Sequence, residues 1–268
     1  VTECRHGFDE ELCDICSPRR TAEPVRTAPT PRRPAVSKAR ERVAPTSLRS
    51  PQAAAAAPVA ESRASTPFAQ RRIYHVTHID NLAGILADGA LRAGAIPDVD
   101  LLAPEERAAV AERELVPGAP LSGFVPFSVS PDAAWWNALR ALEAGERYSR
   151  AARKAATADF IVFIGTTAAA GPQIVVTDGP GGEPGTSFAV GGDAAGPLLR
   201  RSHLRDPELR QAEAYVAGSY SVGDLAMLAT ANEPIRAEVK RLVGLAGVRM
   251  PRLGVFPPLF QPTVDDEL

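Results

Sequence analysis

The sequence predicts an α+β fold: a mixed-sheet core with helices, preceded by a disordered linker and a small metal-binding module. Three observations lead there. Strand-like runs and helical patterns follow one another without regular alternation, which argues against a doubly wound parallel sheet. Overall composition is globular, 45% hydrophobic and 23% charged with a net charge of -2, yet one internal stretch departs sharply from it. All three cysteines fall within the first sixteen residues.

Residues 1–16, VTECRHGFDEELCDIC, hold Cys4, His6, Cys13 and Cys16. Four N/S donors closed by a C-x-x-C are a common structural zinc set, and a Cys3His set leaves no open position for catalysis. A redox pair of Cys13 with Cys16, or an incidental cluster, is the alternative. The peptide carries five Asp or Glu against one Arg, which favours a protein partner over DNA.

Residues 17–70 carry ten Lys or Arg against three Glu, with nine prolines, an AAAAA run and one aromatic, Phe68. Such a segment buries too little apolar area to offset chain entropy, so disorder is expected. It reads either as a solubilising tether or as a sequence-independent contact for nucleic acid phosphates. No run of eighteen apolar residues occurs, so no membrane span is expected. There is no basic-then-apolar start, and the cysteines are few and odd in number. The expectation is a cytoplasmic protein.

The folded part is expected over 71–260, followed by an acidic tail at 261–268. RRIYHVTHI is rich in β-branched and aromatic residues, so Ile73–Thr77 reads as a strand. Asp80 or Asn81 can cap the next helix, whose Leu82, Ile85 and Leu86 share a face and whose end is Gly89. LAPEERAAVAEREL reads as a helix with Pro104 in its first turn, and GFVPFSVS as a strand. DAAWWNALRALEAGERYSRAARKAA is the longest helical pattern. DFIVFIG reads as a buried strand and QIVVTDG as another.

GPGGEPGTSFAVGG is expected to be a mobile loop; it lacks the Gly-Lys-Ser/Thr and G-x-G-x-x-G patterns that cradle phosphates. ELRQAEAYVAG fits helix or strand by periodicity. ANEPIRAEVKRLVG is a helix capped by Asn232, with Ile235, Val239, Leu242 and Val243 on one face.

Few polar residues outside the terminal cluster could do chemistry. His75 and Thr77 share a strand face because side chains alternate with period two. His78, Asp80 and Asn81 sit at the strand-to-helix turn, where polar groups can meet a ligand. A hydrogen-bonded structural histidine is the competing reading.

IYHVTHIDNLAGILADGAL resembles the opening motif of the DarT toxins, which transfer ADP-ribose from NAD onto bases of single-stranded DNA. VPFSVSP, DFIVFIG, IVVTDG and RQAEAYV resemble that family's further landmarks in the same order, over about residues 73–245. The resemblance implies an ADP-ribosyltransferase fold and NAD as substrate. It also implies that His75, Thr77 and Asn81 contact NAD, and that Glu213 is the catalytic glutamate.

The residue types suit that chemistry. Cleaving the nicotinamide–ribose bond builds oxocarbenium character, which a carboxylate stabilises. The same carboxylate can take a proton from the attacking nitrogen. The alternative for Glu213 is a solvent-facing charge on an amphipathic helix.

One departure stands out. The family typically has an Arg shortly after its Pro-Phe strand, where SVSPDAAWWN has Asp132. That reverses the local charge unless Arg140, Arg147 or another base compensates. Trp135-Trp136 reads as core, or as one ring for stacking on a base.

The function implied is transfer of ADP-ribose to a nucleic acid base, with single-stranded DNA as the expected acceptor, as a toxin or anti-phage effector. An antitoxin or other protein would partner the amino-terminal module. Transfer to RNA or protein, or a non-enzymatic nucleic-acid-binding zinc module on a decayed fold, are the alternatives.

Overall fold

The computed structural model describes residues 67–249 and 252–263. The candidate zinc ligands Cys4, His6, Cys13 and Cys16, residues 17–66 of the linker and residues 264–268 of the tail lie outside the described residues. The chain enters through a 3-10 turn, Phe68–Gln70. The Phe68 ring packs on the core, and the Phe68 carbonyl accepts from the Thr167 hydroxyl.

The first strand, β1 (Arg72–His78), leads through a 3-10 turn (Ile79–Asn81) into α1 (Leu82–Asp88). That helix ends at Gly89, whose φ of 66° is the left-handed conformation glycine adopts without a Cβ penalty. β2 (Ala90–Arg92) follows, then α2 (Pro104–Ala111), with Pro104 in the first turn and Glu105 and Glu106 at the positive end of the helix dipole. β3 (Glu114–Val116) and β4 (Ala119–Pro120) form a small hairpin before β5 (Phe124–Ser128).

The long helical pattern after β5 is not one helix. It breaks into α3 (Ala134–Arg140) and α4 (Arg150–Lys154), with Leu142 at φ 60° between them. The reason lies outside the segment: Ala103 N–H donates to the Arg147 carbonyl and Ser149 N–H to the Leu101 carbonyl. Those backbone groups cannot serve the distant residues 101–103 and an internal helix at once. Ser149 then caps α4 by accepting from the Ala152 N–H at 3.0 Å.

β6 (Phe160–Thr166), buried over Phe160–Gly165, is followed by β7 (Val175–Thr177) and β8 (Phe188–Val190). The glycine-rich excursion between the last two is therefore not a plain loop: its end forms an edge strand, and Ser187 N–H donates to Asp178 Oδ1 at 2.7 Å. Next comes α5 (Gly192–His203), unforeseen because Gly192, Gly196 and Pro197 read as breakers. Then follow β9 (Glu213–Ala217), β10 (Ser219–Ser221), β11 (Met227–Thr230), α6 (Glu233–Ala246), β12 (Arg252–Val255) and a final 3-10 turn, Pro257–Phe260. Asn232 caps α6, its Oδ1 accepting from the Ile235 N–H at 3.0 Å.

Eight strands form one mixed sheet in the order β12-β11-β6-β1-β5-β9-β7-β8, antiparallel except for the parallel pair β11–β12. β1 is laddered to β6 along its whole length, from Arg72↔Thr166 to His78↔Phe160. Its other side meets β5 at one pair alone, Tyr74↔Ser128. The sheet is thus two four-stranded halves hinged at that pair.

One face of both halves carries Ile73, Phe163, Leu228, Phe127, Ala214 and Val176, buried with residues of α1, α5 and α6. The opposite face of the first half carries Val76, Val162 and Ile164, packed against Trp136, Leu139, Ala152 and Phe260. Trp136 is core, as expected; Trp135 is half-buried and donates its indole N–H to Ser128 Oγ at 3.0 Å. Among the described residues no helix is long and apolar enough to cross a membrane.

Candidate active site at the hinge of the sheet

Residues 213–217 form a strand, so Glu213 is not a charge on an amphipathic helix. Its register is Ser128↔Glu213 on one side and Thr177↔Glu213 on the other. Directly opposed residues of antiparallel strands project to the same face. The hinge pair Tyr74↔Ser128 extends the row, so Tyr74, Ser128, Glu213 and Thr177 line one face across four strands.

One oxygen of Glu213 is held twice. Gly181 N–H donates to Oε2 at 2.9 Å, and the Tyr215 hydroxyl donates to the same atom. Tyr215 lies two residues along the strand and shares the face by the period of two. Gly181 is required there: a Cβ would overlap the Tyr215 hydroxyl. Oε1 has no hydrogen bond among the described residues and is not a buried unpartnered atom, so it meets solvent.

Burial pushes the Glu213 carboxyl above the usual glutamate range. The Tyr215 hydroxyl, the Gly181 N–H and the charge of Arg147 oppose that rise, and Glu183 adds to it. Burial and the adjacent carboxylate hold the Tyr215 hydroxyl well above the usual tyrosine range, so it stays a donor. The result is a carboxylate with one fixed oxygen, one free oxygen and a raised proton affinity, the properties of a base poised nearer neutrality.

His75 lies on β1, on the opposite pleat face from Tyr74. Where the β1–β5 ladder stops, its Nδ1 bonds the Pro126 carbonyl at 2.8 Å, and its ring packs near Phe127 and Phe163. A carbonyl only accepts, so Nδ1 carries the hydrogen and Nε2 is left as the acceptor. Burial holds the imidazole below the usual histidine range against the opposing Pro126 bond, so it is neutral at pH 7.

Thr77 shares the His75 face, buried, with Oγ1 accepting from Asn81 Nδ2 at 2.9 Å. Asn81 is buried too, and its side chain does not cap α1. Its Nδ2 also donates to the Val99 carbonyl at 2.9 Å, and its Oδ1 accepts from the Val99 N–H at 2.8 Å.

The structure therefore gathers His75, Thr77 and Asn81 into one group and sets Glu213 apart from them. β5 lies between, so the separation is two strand spacings, roughly 10 Å. Residues on Glu213's own face, Tyr74, Ser128 and Tyr215, were not singled out from the sequence.

Asp132 does not confront a ligand as a bare charge. Arg140 NH2 donates to its Oδ1 at 2.8 Å, and the Thr263 hydroxyl donates to the same oxygen at 2.8 Å. Hydrogen bonds from Arg140 and Thr263, with the charges of Arg140 and Arg210, hold the carboxyl below its usual range against desolvation. Arg140, fully buried in its side chain, also donates to the Leu259 carbonyl at 3.1 Å. Arg140 is therefore spent on Asp132 and the carboxy-terminal segment.

The strand order, hinge and row can be set beside solved structures. Thermus sp. 2.9 DarT in complex with ADP-ribosylated ssDNA matches with a TM-score of 0.54 at 24% identity, over 70% of this chain and 95% of that one. The fold is that of the DarT ADP-ribosyltransferases. The same DarT in complex with NAD+ matches with a TM-score of 0.53 at 24% identity, over 70% of this chain and 96% of that one. Thermosipho africanus DarTG in complex with ADP-ribose gives 0.53 at 14% identity, over 71% of this chain and 51% of that one. No family model matches the chain, and no curated protein matches it. Among the described residues of this DarT-like fold, no group of three or more His, Cys, Asp or Glu could hold a metal.

Proposed function

We propose that the protein is an NAD-dependent ADP-ribosyltransferase whose acceptor is a nucleic acid base, with single-stranded DNA the expected acceptor and Glu213 the catalytic residue. The observation that carries this reading is the held carboxylate of Glu213 on a DarT fold: Oε2 fixed by Tyr215 and Gly181, Oε1 free, and proton affinity raised by burial. The solved structures of that fold that hold NAD+ and ADP-ribosylated ssDNA support the choice of substrates.

In the proposed reaction the bond from nicotinamide to ribose C1 breaks, and a bond forms from C1 to a nitrogen of the acceptor base. Nicotinamide leaves with the bonding pair. Oε1 of Glu213 stabilises the developing positive charge on the sugar and accepts the proton that the attacking nitrogen sheds. His75 offers Nε2, and Thr77 its hydroxyl hydrogen, to NAD from the opposite pleat face, through the gap where β1 and β5 part beyond their single pair, without competing charge. Asn81 contributes by holding Thr77 and the segment around Val99. A base within a duplex hides its reactive edge, so a single-stranded acceptor suits the reaction.

The amino-terminal donors Cys4, His6, Cys13 and Cys16 are proposed to hold one structural zinc, because a closed Cys3His set suits that metal. One zinc per chain, lost on C13S/C16S, is expected by elemental analysis. A toxin or anti-phage role, with an antitoxin or other protein partner, completes the proposal. The enzymatic reading is tested by nicotinamide release from NAD in the presence of oligonucleotides. Release abolished in Glu213→Ala is expected, and a wild-type protein that releases none overturns it.

A further inference from the structure

At the amino-terminal end of β1, beside the hinge, a hollow of about 260 Å³ is lined by Gln70, Arg71, Arg72, Tyr74 and Val129. Among the described residues no acidic side chain lines it. The half-buried and buried arginines elsewhere in the described fold have carboxylate partners: Arg107 with Asp100, Arg113 with Glu106 and Glu183, Arg140 with Asp132, Arg210 with Glu208, and Arg236 with Glu233. Arg71 is half-buried and has no such partner among the described residues, and neither has the exposed Arg72 beside it.

A guanidinium that has lost part of its water and gained no counter-charge is an uncompensated cost, and a bound anion relieves it. Desolvation accordingly lowers the proton affinity of Arg71. Among the described residues, the carboxylate whose charge acts on Tyr74, Asp132, is already paired with Arg140 and hydrogen-bonded by the Thr263 hydroxyl.

The hollow is also placed for a purpose. Tyr74 is both part of its wall and the end of the row that runs through Ser128 to Glu213. We infer that it is a phosphate subsite, in which Arg71 and Arg72, with the Gln70 amide and the Tyr74 hydroxyl as further donors, hold a phosphate of one of the two substrates while the reacting sugar lies at Glu213. Planar guanidinium groups match phosphate oxygens with paired hydrogen bonds. The assignment to a substrate rests on the transferase reading, and it restores by another route the positive charge that Asp132 removes from the position after the Pro-Phe strand.

The full chain, its R71Q/R72Q variant and an R200Q/R201Q control at exposed positions of α5 are titrated separately with inorganic pyrophosphate, with NAD, and with a short single-stranded oligonucleotide. R71Q/R72Q is expected to bind pyrophosphate at least tenfold more weakly than wild type, with the control unchanged. It should fall by a similar factor on either the NAD arm or the oligonucleotide arm, which names the source of the phosphate. If the oligonucleotide arm responds, its affinity–salt slope falls by about 1.4, the value for two contacts to a single strand.

Wild type that takes up no pyrophosphate, or R71Q/R72Q that binds all three probes as wild type does, overturns the subsite. Loss of pyrophosphate alone, with both substrate arms intact, overturns its assignment to a substrate. Absence of nicotinamide release by wild type is a separate result that sinks the transferase reading and leaves the pyrophosphate arm to judge the subsite.

Discussion

Replacing Tyr215 by Phe removes one hydroxyl and keeps the ring that fills the small core beside Leu115, Leu121 and Val175. The hydroxyl donates to Oε2 of Glu213, and Gly181 N–H remains as the second donor to that oxygen. A hydrogen bond to a charged acceptor contributes about 1.5–3 kcal/mol. Part of it survives when the carboxyl is protonated, so the differential loss is nearer the lower end. At about 1.36 kcal/mol per pH unit this displaces an acid limb by roughly one unit.

The sign follows from which form the bond favours. Tyr215 stabilises the ionised carboxylate against burial, so its removal raises the proton affinity further. The acidic limb of the kcat profile for nicotinamide release therefore moves to higher pH in Y215F, with activity recovered on the alkaline side. Urea denaturation at a pH where Glu213 is ionised should show a stability loss of about 1.5 kcal/mol, the lower end for one hydrogen bond to a charged acceptor. A folded, active Y215F whose acidic limb stays in place, or moves to lower pH, refutes the role given to Tyr215.

Four further outcomes follow from contacts described above. Glu213 has its folded-state proton affinity raised, so its charge adds no cost below the usual glutamate range and lowers stability as pH rises through the folded value. Neutral Glu213→Gln should thus melt higher than wild type at pH 8 and equally at pH 4, while losing activity. Arg140→Ala removes the buried cation that pairs with Asp132, leaving it the Thr263 hydroxyl alone, and takes one of the two donors from the Leu259 carbonyl, whose other is the Trp136 indole N–H; it should cost about 3 kcal/mol in urea denaturation. Asp132→Arg, which supplies the charge that the DarT resemblance implies at this position, meets Arg140 at close range and should destabilise the fold instead of raising NAD affinity, as read by thermal melting and NAD titration. Asn81→Ala frees both Val99 backbone groups, and faster amide exchange over residues 93–103 by mass spectrometry is the expected sign.

Much of the fold could be read from local pattern. β1 with its β-branched run, the end of α1 at Gly89, and the Asn232 cap of α6 each rest on chemistry within a few residues. The break between α3 and α4 could not be read that way, because its cause is a backbone pairing with residues 101–103, more than forty positions earlier. α5 was hidden by Gly196 and Pro197, which packing of Ala195, Leu198 and Leu199 overrides.

The site divides along the same line. His75 and Thr77 came forward through strand alternation and then motif resemblance, Glu213 through the resemblance; β1 is the strand expected, and the Glu213 segment, open between helix and strand by periodicity, is a strand. Tyr215 was within reach: once Glu213–Ala217 is a strand, period two sets it beside Glu213. The Tyr74–Ser128–Glu213 row depends on registers between strands distant in sequence, and the approach of Gly181 depends on the path of a glycine-rich excursion. Arg71 carried no motif; its meaning lies in which carboxylates fail to reach it.

The central claim is group transfer to a nucleic acid base under control of Glu213. The most direct measurement is the intact mass of single- and double-stranded DNA and RNA oligonucleotides after incubation with the protein and NAD. A gain of one ADP-ribosyl group on single-stranded DNA, absent with Glu213→Ala, is predicted. Unmodified oligonucleotides throughout, or the same gain with Glu213→Ala, would contradict it.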